Sequence, residues 1–224
     1  MRLDPNLLIP SLTAAALIVL ISFPVHEFAH AWTAWRLGDG TARLFGRLTL
    51  NPIAHIDPAG TILLFLSSLV GVGIGWARPT PVNTNNLRGG RGAEGLVAAA
   101  GPLSNLVLAA IGAGLLRLLV LLACAGTEIP GFVANTLFIF VQINIALLLF
   151  NFVPVPPLDG SKVLFSLMTP RQQWQWRPML EQYGVLLLIV VAFLPLFGGQ
   201  TLFGLIFNRV GEPLIDLLVG PVVC

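Results

Sequence analysis

Two histidines and a glutamate stand at a spacing that suits metal-assisted hydrolysis. His26, Glu27 and His30 form the pattern HExxH, and residues i and i+4 of a helix lie about 40° apart, so both imidazoles can face one metal ion. Glu27 is the neighbour that can take a proton from a metal-bound water. Zinc would lower the pKa of that water to about 7 and polarise the attacked carbonyl. The motif therefore predicts a zinc-dependent hydrolytic centre.

Zinc in such a centre needs a third protein ligand and an open position. Asp159 is the candidate, because it follows three prolines in the stretch "NFVPVPPLDG". A proline-stiffened, extended segment can direct a carboxylate back toward the two histidines. The alternative is that Asp159 caps the helix that starts at "GSKVLFSLM", a role that aspartate fills well. Spacing alone does not choose between a ligand and a cap.

The composition places this motif in a membrane protein. Of the 224 residues, 56% are hydrophobic and 10% are charged, whereas a soluble domain has about 25% charged residues for its surface. A soluble protein is therefore excluded. No stripe of basic and aromatic residues accompanies the small net charge of +2, so nucleic acid is not an expected partner. Ionisable groups in an apolar helix are costly unless they are paired or bind a metal, which favours the metal interpretation.

The hydrophobic pattern predicts an all-α polytopic membrane protein. Its bundle has a re-entrant hairpin at 61–76 and a short β segment around 43–50, both between the first and second full spans. The apolar stretch at 201–219 is interrupted by charges and a proline, and the pattern does not decide between a span and an interfacial helix. Four full spans are predicted, at 6–36, 94–122, 132–152 and 179–197.

Charge placement supports the re-entrant hairpin. If 61–76 dips into the membrane and returns, nine of the twelve basic residues lie on one side, and the link "AGTEIPG" on the other side has none. The positive-inside rule makes that basic side cytoplasmic and puts the metal centre near it. We expect one domain over 1–224, with a catalytic core at about 6–170 and C-terminal helices at 171–224. The nine residues are Arg36, Arg43, Arg47, Arg78, Arg88, Arg91, Lys162, Arg171 and Arg177.

Three motifs in this order resemble the site-2 protease family of intramembrane zinc metalloproteases. They are HEFAH in the first span, "GPLSN" in a later span and "NFVPVPPLDG" at the end of the next. The resemblance is to the small members, which lack PDZ or other regulatory domains. It implies that His26, His30 and Asp159 bind Zn²⁺ and that Glu27 is the catalytic base. It also implies that Asn105 and Asn151 help to hold an extended substrate; the alternative is that these amides only bond neighbouring helices.

The expected function is that of an intramembrane zinc endopeptidase. It would cut peptide bonds in or near transmembrane segments of other membrane proteins, in the plasma membrane of a prokaryote. Its partners would be a membrane-protein substrate and the lipid bilayer, and the oligomeric state is left open. His55 is a possible contact of a zinc ligand rather than a ligand itself. The alternatives are a metal-ion transporter and an inactive relative that binds membrane segments as a chaperone.

Overall fold

Helices make up most of the protein. The computed structural model describes residues 5–69 and 73–220. The two strands in these ranges, β1 (Pro195–Phe197) and β2 (Gln200–Thr201), form one small antiparallel pair. The helices are α1 (Pro5–Leu17), α2 (Phe23–Arg36), α3 (Thr41–Leu44), α4 (Pro52–His55), α5 (Pro58–Leu69), α6 (Gly90–Cys124), α7 (Gly131–Asn151), α8 (Asp159–Leu167), α9 (Pro170–Phe193), α10 (Leu202–Ile206) and α11 (Glu212–Val219).

Four helical runs in the described ranges are long and apolar enough to cross a bilayer. They are Leu7–Arg36, Gly90–Cys124, Gly131–Asn151 and Pro170–Phe193. The chain is thus an all-α polytopic membrane protein, with spans close to the predicted ones. The final apolar segment is not among the four, since its helices α10 and α11 are short and flank a π-helical turn that carries Arg209.

The first span brings the HExxH motif to the centre of the bundle. A π-helical turn, Ile18–Ser22, joins α1 to α2. This wider turn lies directly before Pro24, which has no N–H to donate to the preceding turn. Helix α2 packs against α6, and α1 packs against α7 and α5. The motif therefore sits on a helix whose inner face is covered by α6.

The connector between α2 and α5 corrects one prediction. The β segment predicted around 43–50 is wrong, because Thr41–Leu44 forms a helical turn and Gly46 then reverses the chain in the left-handed region, with φ +67°. The Arg47 guanidinium donates to the Ala54 carbonyl and holds the reversed chain against α4. A strand needs a partner edge, and the described part of the chain offers none here.

Residues 58–69 form a helix, and residues 73–83 form an extended return. Helix α5 has 12 residues, or about 18 Å, which is shorter than the hydrocarbon core. Residues 73–83, here called the return segment, run back along it. Ile74 N–H donates to Ser67 Oγ (2.7 Å), and a Cβ on Gly60 would lie 2.1 Å from the Trp76 carbonyl. Residues 70–72 lie outside the described ranges, and the re-entrant membrane position of this unit stays a prediction.

The hydrophobic core has two main parts that share α7. One part joins α6, α7 and α11, and the other joins α1, α5 and α7. Arg117 lies in the last third of α6, within a candidate span, where a lone charge is costly. Its Nε donates to the Val219 carbonyl (2.7 Å) and its Nη2 to the Leu217 carbonyl (2.9 Å). Arg117 therefore satisfies the C-terminal carbonyls of α11 and ties that helix to the core.

Candidate metal centre

The two histidines of the motif meet on the inner face of α2. Their Nε2 atoms are 3.1 Å apart, as the i, i+4 spacing predicts. His26 and His30 are 9% and 7% exposed, and Glu27 between them is 8% exposed. Three ionisable side chains are thus buried at one point of a membrane-spanning helix. Such burial is expected only where the groups have partners.

Asp159 completes the cluster from the start of α8. Its Oδ2 lies 3.3 Å from His26 Nε2 and 3.1 Å from His30 Nε2. The N-cap position belongs to Leu158 and has no side-chain cap, so Asp159 faces the histidines and does not cap α8. A carboxylate binds metal in its ionised form.

The turn before Asp159 is built to bring the carboxylate back to α2. Helix α7 ends at Asn151, because the prolines that follow cannot continue it. The chain then folds onto the end of α7 so closely that a Cβ on Gly160 would lie 2.4 Å from the Phe152 carbonyl oxygen. Only glycine fits there without moving the backbone. The order of residues in "PPLDG" thus fixes where Asp159 points.

Contacts from α6 orient both imidazole rings. His30 Nδ1 donates to the Val97 carbonyl (2.7 Å), and His26 Nδ1 donates to Asn105 Oδ1 (3.2 Å). Carbonyl oxygens only accept hydrogen bonds, so each ring carries its proton on Nδ1. The Nε2 lone pairs therefore face Asp159 and are free to bind a metal. Val97 and Asn105 lie eight residues apart, on one face of α6.

Gly101 gives the rings the space that they occupy. It lies on the same face of α6, midway between Val97 and Asn105. A Cβ at this position would lie 2.2 Å from His30 Nε2 and 2.6 Å from His26 Nε2. Any side chain at 101 would therefore overlap the atoms that face the metal position.

Glu27 is held beside the cluster by the return segment. Its Oε2 accepts a hydrogen bond from the Thr80 N–H (2.7 Å), and Thr80 Oγ1 donates to the Glu27 backbone carbonyl (3.1 Å). Among the described residues, Oε1 has no hydrogen-bond partner. One oxygen of the carboxylate is thus fixed, and the other is available to a molecule in the cavity.

The cluster opens into a cavity of about 780 Å³, here called the metal cavity. The return segment forms one wall, and α7 and α8 form the other. Asn105 and Asn151 both line it. Asn151 Nδ2 donates to the Leu147 carbonyl (2.9 Å), whereas Asn105 Nδ2 is buried without a partner among the described residues. The two asparagines predicted to hold substrate therefore face the same cavity as the metal cluster.

His55 lies elsewhere. It is 1% exposed in α4, and its Nε2 bonds the Thr49 carbonyl (2.8 Å). It neither joins the metal cluster nor lines the metal cavity, as far as the described residues show. Its predicted contact with a zinc ligand stays a prediction, whereas its observed contact holds the connector.

Sequence reasoning missed Thr80, Val97 and Gly101. For Val97 and Gly101 a signal was present, because they precede Asn105 by eight and four residues and so share its helical face. Thr80 had no such signal. Its role depends on how the return segment packs, and that packing is not encoded in local spacing.

The arrangement fits zinc. Two imidazole nitrogens and one carboxylate oxygen converge, their protonation is set from outside, and the cavity leaves room for a water or substrate oxygen. These are the properties of a catalytic zinc site. In the described residues this is the one group of three such side chains that converges on a point. Fold and site together define a membrane-embedded, metal-dependent hydrolase.

Comparisons with known proteins agree with this class. The model for "Peptidase family M50" matches residues 120–195. The chain is 43% identical over 183 residues to "Putative zinc metalloprotease YwhC" of Bacillus subtilis, covering 80% of this chain and 79% of the relative. It is 33% identical to "Putative zinc metalloprotease Rip2" of Mycolicibacterium smegmatis (79% and 65% covered) and 32% identical to the Rip2 of Mycobacterium tuberculosis (84% and 69%). No solved structure matches significantly.

The chain belongs to peptidase family M50, the site-2 protease family. It is accordingly a metalloprotease, and its cofactor is Zn²⁺. The resemblance carried by the three sequence motifs is confirmed.

Proposed function

We propose that the protein is an intramembrane endopeptidase that hydrolyses peptide bonds in or near transmembrane segments of other membrane proteins. The observation that carries the proposal is the position of the metal cluster. His26 and His30 lie on a helical run, Leu7–Arg36, that is long and apolar enough to span a bilayer. Asp159 joins them from the start of α8. A protease centre in that position acts on chains that are themselves in the membrane.

The residues of the metal cavity divide the chemistry between them. His26, His30 and Asp159 would hold zinc, which supplies polarisation of the scissile carbonyl and acidification of the attacking water. Glu27 accepts the proton of that water on Oε1 while Thr80 holds Oε2 in place. Glu27 then gives the proton to the leaving amine. Asn105 Nδ2, buried and without a described partner, is placed to donate to an oxygen of the bound peptide.

The return segment offers an edge on which an extended substrate can align. Gly75 and Ala77 line the metal cavity, and their N–H groups have no hydrogen-bond partner among the described residues. Pro79 and Pro81 follow and have no N–H to offer, so strand pairing would end before Thr80. A substrate that adds to this edge would gain backbone hydrogen bonds that it loses on unwinding.

Basic residues beside the site support a cytoplasmic position for it. Lys162 and Arg177 line the metal cavity, and Arg177 Nη2 lies 4.0 Å from Glu94 Oε1. We propose that this side is cytoplasmic and that the protein acts in a prokaryotic plasma membrane as one unit over 1–224. Its partners would be the bilayer and a membrane-protein substrate.

Cleavage of a transmembrane reporter by the purified protein in liposomes tests the proposal. The unmutated protein should cut the reporter, chelator should stop cleavage, and Glu27→Gln should retain zinc but lose cleavage. Metal flux that persists in Glu27→Gln, without cleavage by the unmutated protein, would indicate a transporter. Reporter binding without cleavage by the unmutated, zinc-loaded protein would indicate an inactive binding relative.

A further inference from the structure

A second cavity, of about 420 Å³, lies beside the middle of α7 and is here called the mid-span cavity. It is bounded by α1, by the end of α5 and Gly73, by α7, and by Phe203 and Phe207 of the C-terminal region. The part of α7 that lines it runs from Ile139 to Ala146, which is the middle third of a 21-residue span. The cavity is therefore at membrane depth.

The mid-span cavity and the metal cavity are both lined by residues of one helical ridge of α7. Ile143 lines the mid-span cavity, and Leu147 and Asn151 line the metal cavity. These residues follow one another at the i, i+4 spacing of a single helical ridge. The return segment borders both cavities, with Gly73 in one and Gly75 in the other. The two cavities therefore lie next to each other along α7.

Two aromatic rings mark where the cavities meet. Phe150 lines the metal cavity and Phe203 lines the mid-span cavity, and their ring centroids are 5.3 Å apart in an edge-to-face contact. Phe203 belongs to α10, which is a five-residue helix. The boundary is therefore made of side chains, not of backbone.

Gln142 gives the mid-span cavity a polar group in apolar surroundings. It lies on α7 within the span and lines the cavity, and its amide has no hydrogen-bond partner among the described residues. An unpaired amide at membrane depth is unfavourable, since no water is there to bond it. Asn144, on the opposite, buried side, donates from Nδ2 to the Phe140 carbonyl of its own helix (2.9 Å), and its Oδ1 has no partner among the described residues. Gln142 thus gives the lining of the mid-span cavity both a hydrogen-bond donor and an acceptor.

We propose that the mid-span cavity is a docking subsite for the transmembrane helix of the substrate, and that Gln142 pairs with a polar side chain of that helix. The inference rests on the proposed function and adds a sequence preference to it. Gln142 is nine residues, or about 13.5 Å of helix, from Asn151 at the metal cavity. The preferred polar residue would therefore lie about nine residues from the cut bond where the substrate is helical, and about four where it is extended.

A lipid acyl chain is the other occupant that an apolar cavity at this depth could take. It has no hydrogen-bonding group near its middle, so it would leave the Gln142 amide unpaired. A serine, threonine, asparagine or glutamine side chain on a substrate helix would pair with both its donor and its acceptor. The polar lining and the position next to the metal cavity favour the substrate helix.

A cleavage scan tests the proposal. Reporters carry a leucine–alanine transmembrane segment of about 20 residues with a single asparagine moved one position at a time, and mass spectrometry identifies the cut bond. The unmutated protein should cut about three- to tenfold faster when the asparagine is at the predicted distance. Gln142→Leu should abolish that preference. Asn135→Leu removes an amide two turns away on the same helix, outside the cavity, and should keep it.

A crosslinking measurement gives an independent answer. A photo-crosslinking residue replaces Ile139 in the Glu27→Gln protein, which holds the reporter uncut. Adducts with the reporter support docking, and adducts with lipid alone overturn it. The inference is also overturned if the unmutated protein and Gln142→Leu prefer the same asparagine position equally, or if neither has a preference. Cleavage in those experiments would still support the protease. No cleavage of any reporter by the unmutated protein, with reporter adducts at position 139, would instead refute the protease and keep the docking site.

Discussion

Replacing Gly101 by alanine tests the packing of α6 against the zinc ligands. The added Cβ would lie 2.2 Å from His30 Nε2, whereas ordinary contact begins at 3.4 Å, so the ring or the helix must move by about 1.2 Å. His30 cannot swing away freely, because its Nδ1 is held by the Val97 carbonyl at 2.7 Å. A displacement of about 1 Å at a reacting centre lowers the rate by about 10²-fold.

We therefore expect Gly101→Ala to cut reporter hydrolysis about 100-fold and to weaken zinc binding by at least about tenfold. Overpacking should also lower the free energy of unfolding by about 1–3 kcal/mol. Gly114→Ala is the matched control, because nothing lies within 4 Å of a Cβ at that position of the same helix. It should keep zinc and activity and gain up to about 1 kcal/mol in stability.

The assays are metal content by mass spectrometry, zinc affinity by competition with a chelator, and reporter cleavage in liposomes. Full zinc occupancy with unchanged affinity and cleavage in Gly101→Ala would refute the reasoning. Loss of folding in both glycine variants would indicate general disruption of α6. Intact folding of Gly114→Ala would show that the effect at Gly101 comes from its contact with the histidine rings.

Three further changes have expected outcomes. Asn105→Leu removes the acceptor of His26 Nδ1 and should lower zinc affinity about 10- to 100-fold; unchanged affinity in the chelator competition would contradict this role. Asp39 is buried and accepts hydrogen bonds from Thr41, Asn83 and Asn86; burial alone would raise the pKa of Asp39, but these bonds lower it. Its contribution is therefore present above pH 3.8, the ordinary value, and is lost as the pH falls below it. Asp39→Asn should cost about 1–3 kcal/mol of unfolding free energy near pH 7 and nothing in strong acid. An equal cost at both pH values would contradict a lowered pKa of Asp39. Ala77→Pro removes an N–H from the free edge of the return segment and should raise KM for a transmembrane reporter more than for a short peptide; equal changes would exclude edge pairing.

The sequence predicted the parts of the site that local periodicity controls. The i, i+4 spacing placed His26 and His30 together. Apolar runs gave the first three spans to within four residues, whereas the fourth begins at Pro170 and not at 179. The candidate role of Asp159 as a cap was left open, because only the tertiary turn at Gly160 decides where its carboxylate points. The position of Asp159 relative to His26 and His30 depends on tertiary packing between distant parts of the chain, which local sequence patterns do not show.

The errors and omissions have a common physical cause. A short strand was predicted around 43–50, but a strand requires a neighbouring edge, and Gly46 and Arg47 reverse the chain before one can form. Thr80 was not identified because its contact with Glu27 depends on the return of 73–83 along α5. Both features are set by non-local contacts, which a single sequence does not display.

Zinc-edge X-ray absorption of the purified protein shows whether His26, His30 and Asp159 bind zinc. We expect one zinc per chain in the unmutated protein, bound by two imidazoles and a carboxylate, and loss of zinc or of the carboxylate signal in Asp159→Ala. Glu27→Gln should leave the imidazole signals in place. An unchanged zinc spectrum and full occupancy in Asp159→Ala, or purified protein that takes up no zinc at all, would contradict the account.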